Sequence, residues 1–318
     1  TLGRGAVAMM TENGVFLSWR LNAYEYEQDI NFIILRNGEK ITDVITDSTN
    51  YLDKDGKPED VYTIKAVKGN KAEKKGAEVK VVNAPYISIP LDKPENFVDP
   101  DGNSYPYTAN DASVADLDGD GEYEIILRWD ANGKDNSHKG ITGECLLDAY
   151  KLDGTKLWRI NLGRNIRSGS HYTSYILYDF DGDGLCEIAF RSSEGTKFGD
   201  GKIITDAFGQ VNDYRIRDEN GAGWYSGASL YTTCGLIMEG PEYISICRGY
   251  DGREITRVDN IPRGGEGGKV SMAKHWNEYW GDDYGNRMDR YFIGVAYLDG
   301  IPDENTGVRT SNPSLIIS

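Results

Sequence analysis

Residues 114–128 and 177–191 carry one pattern twice, 63 positions apart. Val114-Ala-Asp-Leu-Asp-Gly-Asp-Gly-Glu-Tyr-Glu-Ile-Ile-Leu-Arg128 returns as Leu177-Tyr-Asp-Phe-Asp-Gly-Asp-Gly-Leu-Cys-Glu-Ile-Ala-Phe-Arg191. Each copy reads as an apolar strand, a turn of aspartates and glycines, and a second apolar strand. A second matched pair follows. Leu146-Leu-Asp-Ala-Tyr-Lys-Leu-Asp-Gly-Thr-Lys-Leu-Trp158 resembles Ile244-Ser-Ile-Cys-Arg-Gly-Tyr-Asp-Gly-Arg-Glu-Ile-Thr256, 98 positions on, so the second copy holds about 35 more residues. Each unit is strand, acidic loop, strand, long loop, strand, Asp-Gly turn, strand. A third copy begins at Val295-Ala-Tyr-Leu-Asp-Gly300, has lost most of its acids, and stops in a strand at Ser314-Leu-Ile-Ile317. Four-stranded repeats of this size are the pattern of propeller blades. The chain is therefore expected to be all-β, with residues 86–318 forming two blades and the start of a third.

Residues 1–85 read as a separate β-sandwich. Gly14-Val-Phe-Leu-Ser-Trp-Arg20 alternates, placing Val15, Leu17 and Trp19 on one face. Ile30-Asn-Phe-Ile-Ile-Leu-Arg36 and Tyr62-Thr-Ile-Lys-Ala-Val67 are two further strands, and Asn37-Gly38 supplies the positive φ angles of a tight hairpin. The pattern resembles a fibronectin type III module with Trp19 and Tyr62 in its core. The lysines between Lys68 and Lys80 suit a solvated hairpin or edge strand. Pro85, Pro90, Pro94 and Pro100 mark the linker that follows.

Charge narrows the partners. The chain has 318 residues, with 35 Lys+Arg against 51 Asp+Glu and a formal net charge of −16. No basic stripe offers itself to nucleic acid or an anionic membrane, and no apolar run approaches the roughly 20 residues of a membrane span. Cys145, Cys186, Cys234 and Cys247 form no CxxC pair, which argues against zinc and leaves buried thiols or a disulfide open. The sequence begins at Thr1 and stops in a strand, so both ends are read as cut.

The two acidic loops point to a hard cation. Asp116, Asp118 and Asp120 hold positions one, three and five of the first, Glu122 offers a backbone carbonyl at seven, and Glu124 stands at nine. The second repeats this with Asp179, Asp181, Asp183, Leu185 as carbonyl, and Glu187. Carboxylates so crowded repel one another unless a cation sits among them, and Ca2+ accepts six to eight oxygens. Position twelve is Leu127 or Phe190 and strands follow, so these are not EF-hands. In an up-and-down blade the acidic loops and Asp-Gly turns share one end, which assigns calcium a structural role and the opposite end the function. Three polar segments run to that opposite end: 129–138, 164–171, and a loop from 192 to about 240. They hold Lys134, Asp135, Asn136, His138, Arg164, Arg167, His171, Lys197 and Trp224. We expect Lys134, Asp135, Asn136, Arg167 and His171 to bind substrate, because cations grip carboxylates and amides read hydroxyls. His275 lies in a Trp276-, Tyr279- and Trp280-rich segment and is expected to pack. Gly264-Gly-Glu-Gly-Gly268 lacks the strand-to-helix setting of a phosphate cradle.

A family resemblance extends over nearly the whole chain. Gly3-Arg-Gly-Ala-Val7, Thr11-Glu-Asn-Gly14, Ser18-Trp-Arg20, Arg36-Asn-Gly38, Thr46-Asp-Ser-Thr-Asn-Tyr51, Ala109-Asn-Asp-Ala-Ser-Val114, Lys151-Leu-Asp-Gly-Thr-Lys-Leu-Trp-Arg-Ile160 and Tyr284-Gly-Asn-Arg287 carry it. Together they resemble the rhamnogalacturonan lyases of polysaccharide lyase family eleven. The resemblance implies an eight-bladed propeller behind a fibronectin-like module, structural calcium ions, and a secreted, extracellular bacterial enzyme. It implies rhamnogalacturonan I, an acidic pectic polysaccharide, as substrate, cleaved by β-elimination between rhamnose and galacturonate. The proton-abstracting base is assigned to no residue here, because downstream family segments of the cleft have no counterpart. Two blades and a stub cannot close a ring, so either this is a fragment or a second chain completes it. The competing reading is a non-catalytic calcium-dependent propeller of the integrin-like FG-GAP type, binding glycan or protein. It accounts for the acidic loops but not for the matches outside them. A stand-alone carbohydrate-binding fragment is a third reading, and requires this chain to be stable alone.

Overall fold

Alternation in the sequence becomes strand wherever two apolar faces are available to bury it. The structure, a computed structural model, describes residues 3–134, 138, 140–216, 235–237, 240–261, 269–270, 281, 286–298, 300–302, 309–310 and 312–317. Two compact units divide the chain: residues 1–90 with 119–122, and residues 91–118 with 123–318.

The first unit holds strands β1 (Val7–Thr11), β2 (Gly14–Ser18), β3 (Ile30–Arg36), β4 (Glu39–Lys40), β5 (Asn50–Asp53), β6 (Val61–Lys68), β7 (Lys71–Ala72) and β8 (Ala77–Val82). They follow one hydrogen-bonded path, β4-β3-β6-β8-β1-β2-β5, with β7 beside β6. The join is short: β1 and β8 pair in parallel only at Ala8–Val81 and Met9–Val82. Val15 and Leu17 near one end of that path share a core with Phe32, Ile34, Tyr62 and Ile64 near the other, so the sheet curls over its own apolar face. Trp19 and Tyr62 are both buried in it, as their spacing predicts. Trp19 meets Phe32 edge-on at 5.4 Å, and Tyr62 Oη donates to Asp53 Oδ2 at 2.8 Å. Asn37 and Gly38 both take positive φ in the hairpin between β3 and β4.

The second unit opens with a small hairpin of β9 (Phe97–Val98) and β10 (Ser104–Tyr105). Four antiparallel strands then run in chain order: β11 (Thr108–Ala115), β12 (Glu124–Asp130), β13 (Leu146–Tyr150) and β14 (Lys156–Asn161). The next four-stranded sheet repeats the arrangement with β15 (Tyr175–Tyr178), β16 (Glu187–Ser192), β18 (Tyr243–Arg248) and β19 (Glu254–Asp259), its long connection containing β17 (Gly240–Pro241). The remaining elements are β20 (Lys269–Val270), which pairs with β17, the short helix α1 (Asn286–Asp289), β21 (Ile293–Ala296), the hairpin of β22 (Ile301–Pro302) and β23 (Arg309–Thr310), and β24 (Ser314–Ile317). In the third copy β21 pairs with β24, Val295 opposite Leu315, as Val114 stands opposite Ile125 and Leu177 opposite Ile188.

Strand register locates the insertion in the second copy. Ile126 pairs with Ala149, 23 residues on, whereas Ala189 pairs with Ile246, 57 on, so the long connection is longer by 34. One further residue lies in the Asp-Gly turn, where Lys151 N–H donates to Thr155 O but Arg248 N–H donates to Arg253 O. Ile126, Leu147 and Ile160 of the first sheet share a core with Ile188, Phe190 and Cys247 of the second, and Trp158 Nε1 donates to Gly249 O at 2.6 Å. Cys145 and Cys247 are buried free thiols and Cys186 is a half-buried one; Cys234 lies outside the described residues.

Candidate functional site

The two acidic loops fold alike because the same positions bend the chain. Gly119 and Gly121 take φ of 79° and 91°, and Gly182 and Gly184 take 79° and 92°, angles that a side chain would strain. Glu124 and Glu187 begin β12 and β16, and each closes its loop by accepting the N–H of the second loop residue, Leu117 or Phe180, at 2.8 Å. Carboxylate oxygens of Asp116, Asp118 and Glu124 lie within 4.8 Å of one another, as do those of Asp179, Asp181 and Glu187. Asp120 and Asp183 stand outside these trios and accept the N–H of Glu122 and Leu185, each at 2.8 Å.

The loops differ in charge. Lys151, in the Asp-Gly turn after β13, pairs with Asp118 at 2.6 Å. Among the described residues no lysine or arginine pairs with the second loop's acids. Burial pushes the Glu187 carboxyl up to about 7, and Asp181, Asp183 and Asp179 add to the push against a hydrogen bond from Phe180 N–H. A hard cation with oxygen ligands suits this donor set, since it would reverse the repulsion that raises Glu187.

At the other end of the sheets the three long connections meet. Lys134 N–H donates to Ser168 O at 3.1 Å, and Asn165 Nδ2 donates to Glu194 O and Asn212 O, each at 2.8 Å. Glu194 in turn accepts from Asn212 Nδ2 and Tyr214 Oη, each at 2.9 Å. Lys197, beyond the turn, pairs with Asn161 and covers the end of edge strand β14.

The residues expected to bind substrate separate here. Arg167 is 1% exposed, and its guanidinium donates to Gly140 O at 3.0 Å, to Gly235 O at 2.9 Å and to His138 O. Arg167 fastens the connections, with Nη1 and Nη2 donating to backbone carbonyls. Lys134 is half-buried, its Nζ donating to Asn132 Oδ1 at 3.0 Å, and burial followed by the Arg167 charge holds its ammonium below the ordinary pKa. His171 is half-buried, with its ring 6.5 Å from that of Phe292 and its carbonyl accepting Tyr291 N–H at 2.9 Å. Asp135 and Asn136 lie outside the described residues, as do Trp224, His275, Trp276, Tyr279, Trp280 and residues 264–268.

Two arginines that end the repeated pattern do work that sequence reading passed over. Arg128 donates to Thr173 O, just ahead of β15, at 3.4 Å, and Arg191 donates to Asp289 O, just ahead of β21, at 3.0 Å. Each is 2% exposed and fastens its own sheet to the start of the next copy. Their identical place in both copies was the available signal.

Comparison with known proteins agrees over the full length. The sequence profile described as rhamnogalacturonan lyase family 11, C-terminal domain, matches residues 86–305. The profile described as rhamnogalacturonan I lyases beta-sheet domain matches residues 1–82. The chain is 47% identical over 301 residues to the rhamnogalacturonan exolyase YesX of Bacillus subtilis (strain 168), covering 94% of this chain and 44% of that protein. It is 45% identical over 300 residues to the endolyase YesW of the same strain, again 94% and 44%. The solved rhamnogalacturonan lyase PL11 of Bacillus licheniformis superposes with a TM-score of 0.83 at 46% identity, over 99% of this chain and 48% of that one. The chain spans less than half the length of the relatives it matches.

Proposed function

The chain belongs to rhamnogalacturonan lyase family 11, and from that premise we propose that the protein cleaves the rhamnose-galacturonate backbone of rhamnogalacturonan I by β-elimination. The carrying observation is the family match over residues 86–305, which spans both acidic loops and the meeting of the long connections opposite them. In this reading the two four-stranded sheets are blades of a calcium-stabilised propeller, the first unit is its fibronectin-like companion, and the enzyme works outside the cell. Ca2+ would be held by Asp116, Asp118 and Glu124, and by Asp179, Asp181 and Glu187, with Asp120, Asp183 and the carbonyls of Glu122 and Leu185 completing the sets. Bound there, it would supply charge neutralisation that ties each loop between its strands.

Elimination removes the C5 proton of the uronate, forms the C4–C5 double bond and releases the C4 oxygen. Positive charge near the uronate carboxylate acidifies that proton by stabilising the enolate that develops. Lys134 as a cation and His171 as a hydrogen-bond donor, at the end where the connections meet, are suited to that carboxylate. Arg167 keeps those connections in register, and no residue of this chain is assigned as the base.

The test is to incubate the intact gene product with rhamnogalacturonan I and follow ultraviolet absorbance of unsaturated uronate, with and without chelator. A rising signal that chelation weakens is expected. No signal with calcium present would overturn the lyase reading and favour a non-catalytic calcium-dependent propeller.

A further inference from the structure

We propose that the first unit carries a second carbohydrate site, a groove for a neutral oligosaccharide with Tyr24 as its stacking platform. The groove is a cavity of about 370 Å³ lined only by residues of that unit. This lies near the lower end of small-ligand pockets, room for one or two sugar rings. Gly5, Ala6, Gly76 and Ala77, at or just ahead of the starts of β1 and β8, line it with almost no side chain.

Tyr24 lines the groove and is 57% exposed, with its hydroxyl held by Asn22. Behind Asn22 lies a buried ion pair. Arg4 grips Glu25 at 2.5 and 2.8 Å, both side chains 8% exposed, and Glu25 also accepts Asn22 N–H at 2.9 Å. Asn22 Nδ2 then donates to Tyr24 Oη at 3.0 Å. An aromatic face held before its ligand arrives loses little entropy on binding, and the C–H face of a sugar ring packs on it.

Charge selects the kind of sugar. Glu73, Glu78 and Glu122 line the groove against Lys75, while the Arg4 charge is neutralised by Glu25. Carboxylates accept hydrogen bonds from hydroxyls but repel a uronate, so the ligand is neutral and differs from the acidic backbone assigned to the lyase reaction. The proposal stands independently of that reaction.

Nuclear magnetic resonance titration of the whole chain with galactotetraose, and in parallel with digalacturonate, tests it. Saturable shifts around Tyr24 with galactotetraose, weakened about tenfold by Tyr24→Ala (about 1.4 kcal/mol) and reduced by Glu78→Gln, are expected. Lyase activity on unbranched backbone should be unchanged in both variants. Absence of galactotetraose binding, binding indifferent to Tyr24→Ala, or tighter binding of digalacturonate would each overturn it.

Discussion

A guanidinium carries five donors in one plane and is worth most where its acceptors cannot move away. Arg167 meets that condition with three loop carbonyls, so it acts on the site by holding the backbone, while its charge also reaches the Lys134 ammonium. Arg167→Met should leave those carbonyls short of donors and cost about 3 kcal/mol, lowering both the melting temperature and kcat/KM. Arg167→Lys should rescue little of either, since one ammonium cannot span the three. Arg4 poses the same question in the first unit. Removing it leaves Glu25 buried without its cation, and Arg4→Ala should destabilise that unit by about 3 kcal/mol, read from the nuclear magnetic resonance signals of first-unit residues in a urea titration. Burial pushes Glu25 up, but the hydrogen bonds from Arg4 and Asn22 outweigh it and its pKa falls below the ordinary 4.5. A carboxyl depressed in the folded state stabilises fully above its unfolded value and loses that contribution as pH falls through the folded one. The wild type should therefore lose more stability on acidification below pH 4.5 than Arg4→Ala does.

At the scale of elements, the acidic loops are equal in sequence and unequal in charge. Lys151 occupies Asp118, so a cation entering the first loop competes with an ammonium that the second loop lacks among the described residues. A half-exposed pair of this kind contributes up to about 1 kcal/mol. Calorimetry on chelator-stripped protein should find two calcium affinities, the weaker one rising up to about fivefold in Lys151→Ala. One shared affinity unmoved by the substitution would mean that Lys151 does not compete. Alternation gave β3 to the residue, because that strand buries alternate positions against a core, whereas β13 and β16 are buried at every position. The roles of Arg128 and Arg191 were not legible from alternation. Their acceptors, Thr173 and Asp289, lie 45 and 98 residues away and belong to the next copy. Arg191→Leu should cost about 3 kcal/mol, seen as a lower melting temperature with the calcium stoichiometry unchanged.

Across the whole molecule, near-equal identity to an exolyase and an endolyase means that overall similarity does not choose between the two modes of cleavage. Product analysis by chain length, disaccharides against a ladder of oligomers, decides it in the intact protein. The inserted connection offers another prediction at this scale. Lys197 pairs beside Asn161 and caps the end of β14, so deleting residues 196–204 should bare that edge and promote aggregation, measurable by light scattering.

The sequence by itself determined the repeat, its strand order, the two carboxylate loops and the family, because each rests on local spacing: a period of two in strands, and glycines where φ must turn positive. Tertiary structure alone decided which cations face outward. Arg167 and Lys134 look alike as charges in polar loops, yet one is 1% exposed among carbonyls and the other half-buried beside it. Burial depends on which distant segments converge, and no spacing along the chain encodes that. The groove beside Tyr24 arose the same way, from the approach of residues near 5, 24 and 76 that only the curled sheet brings together.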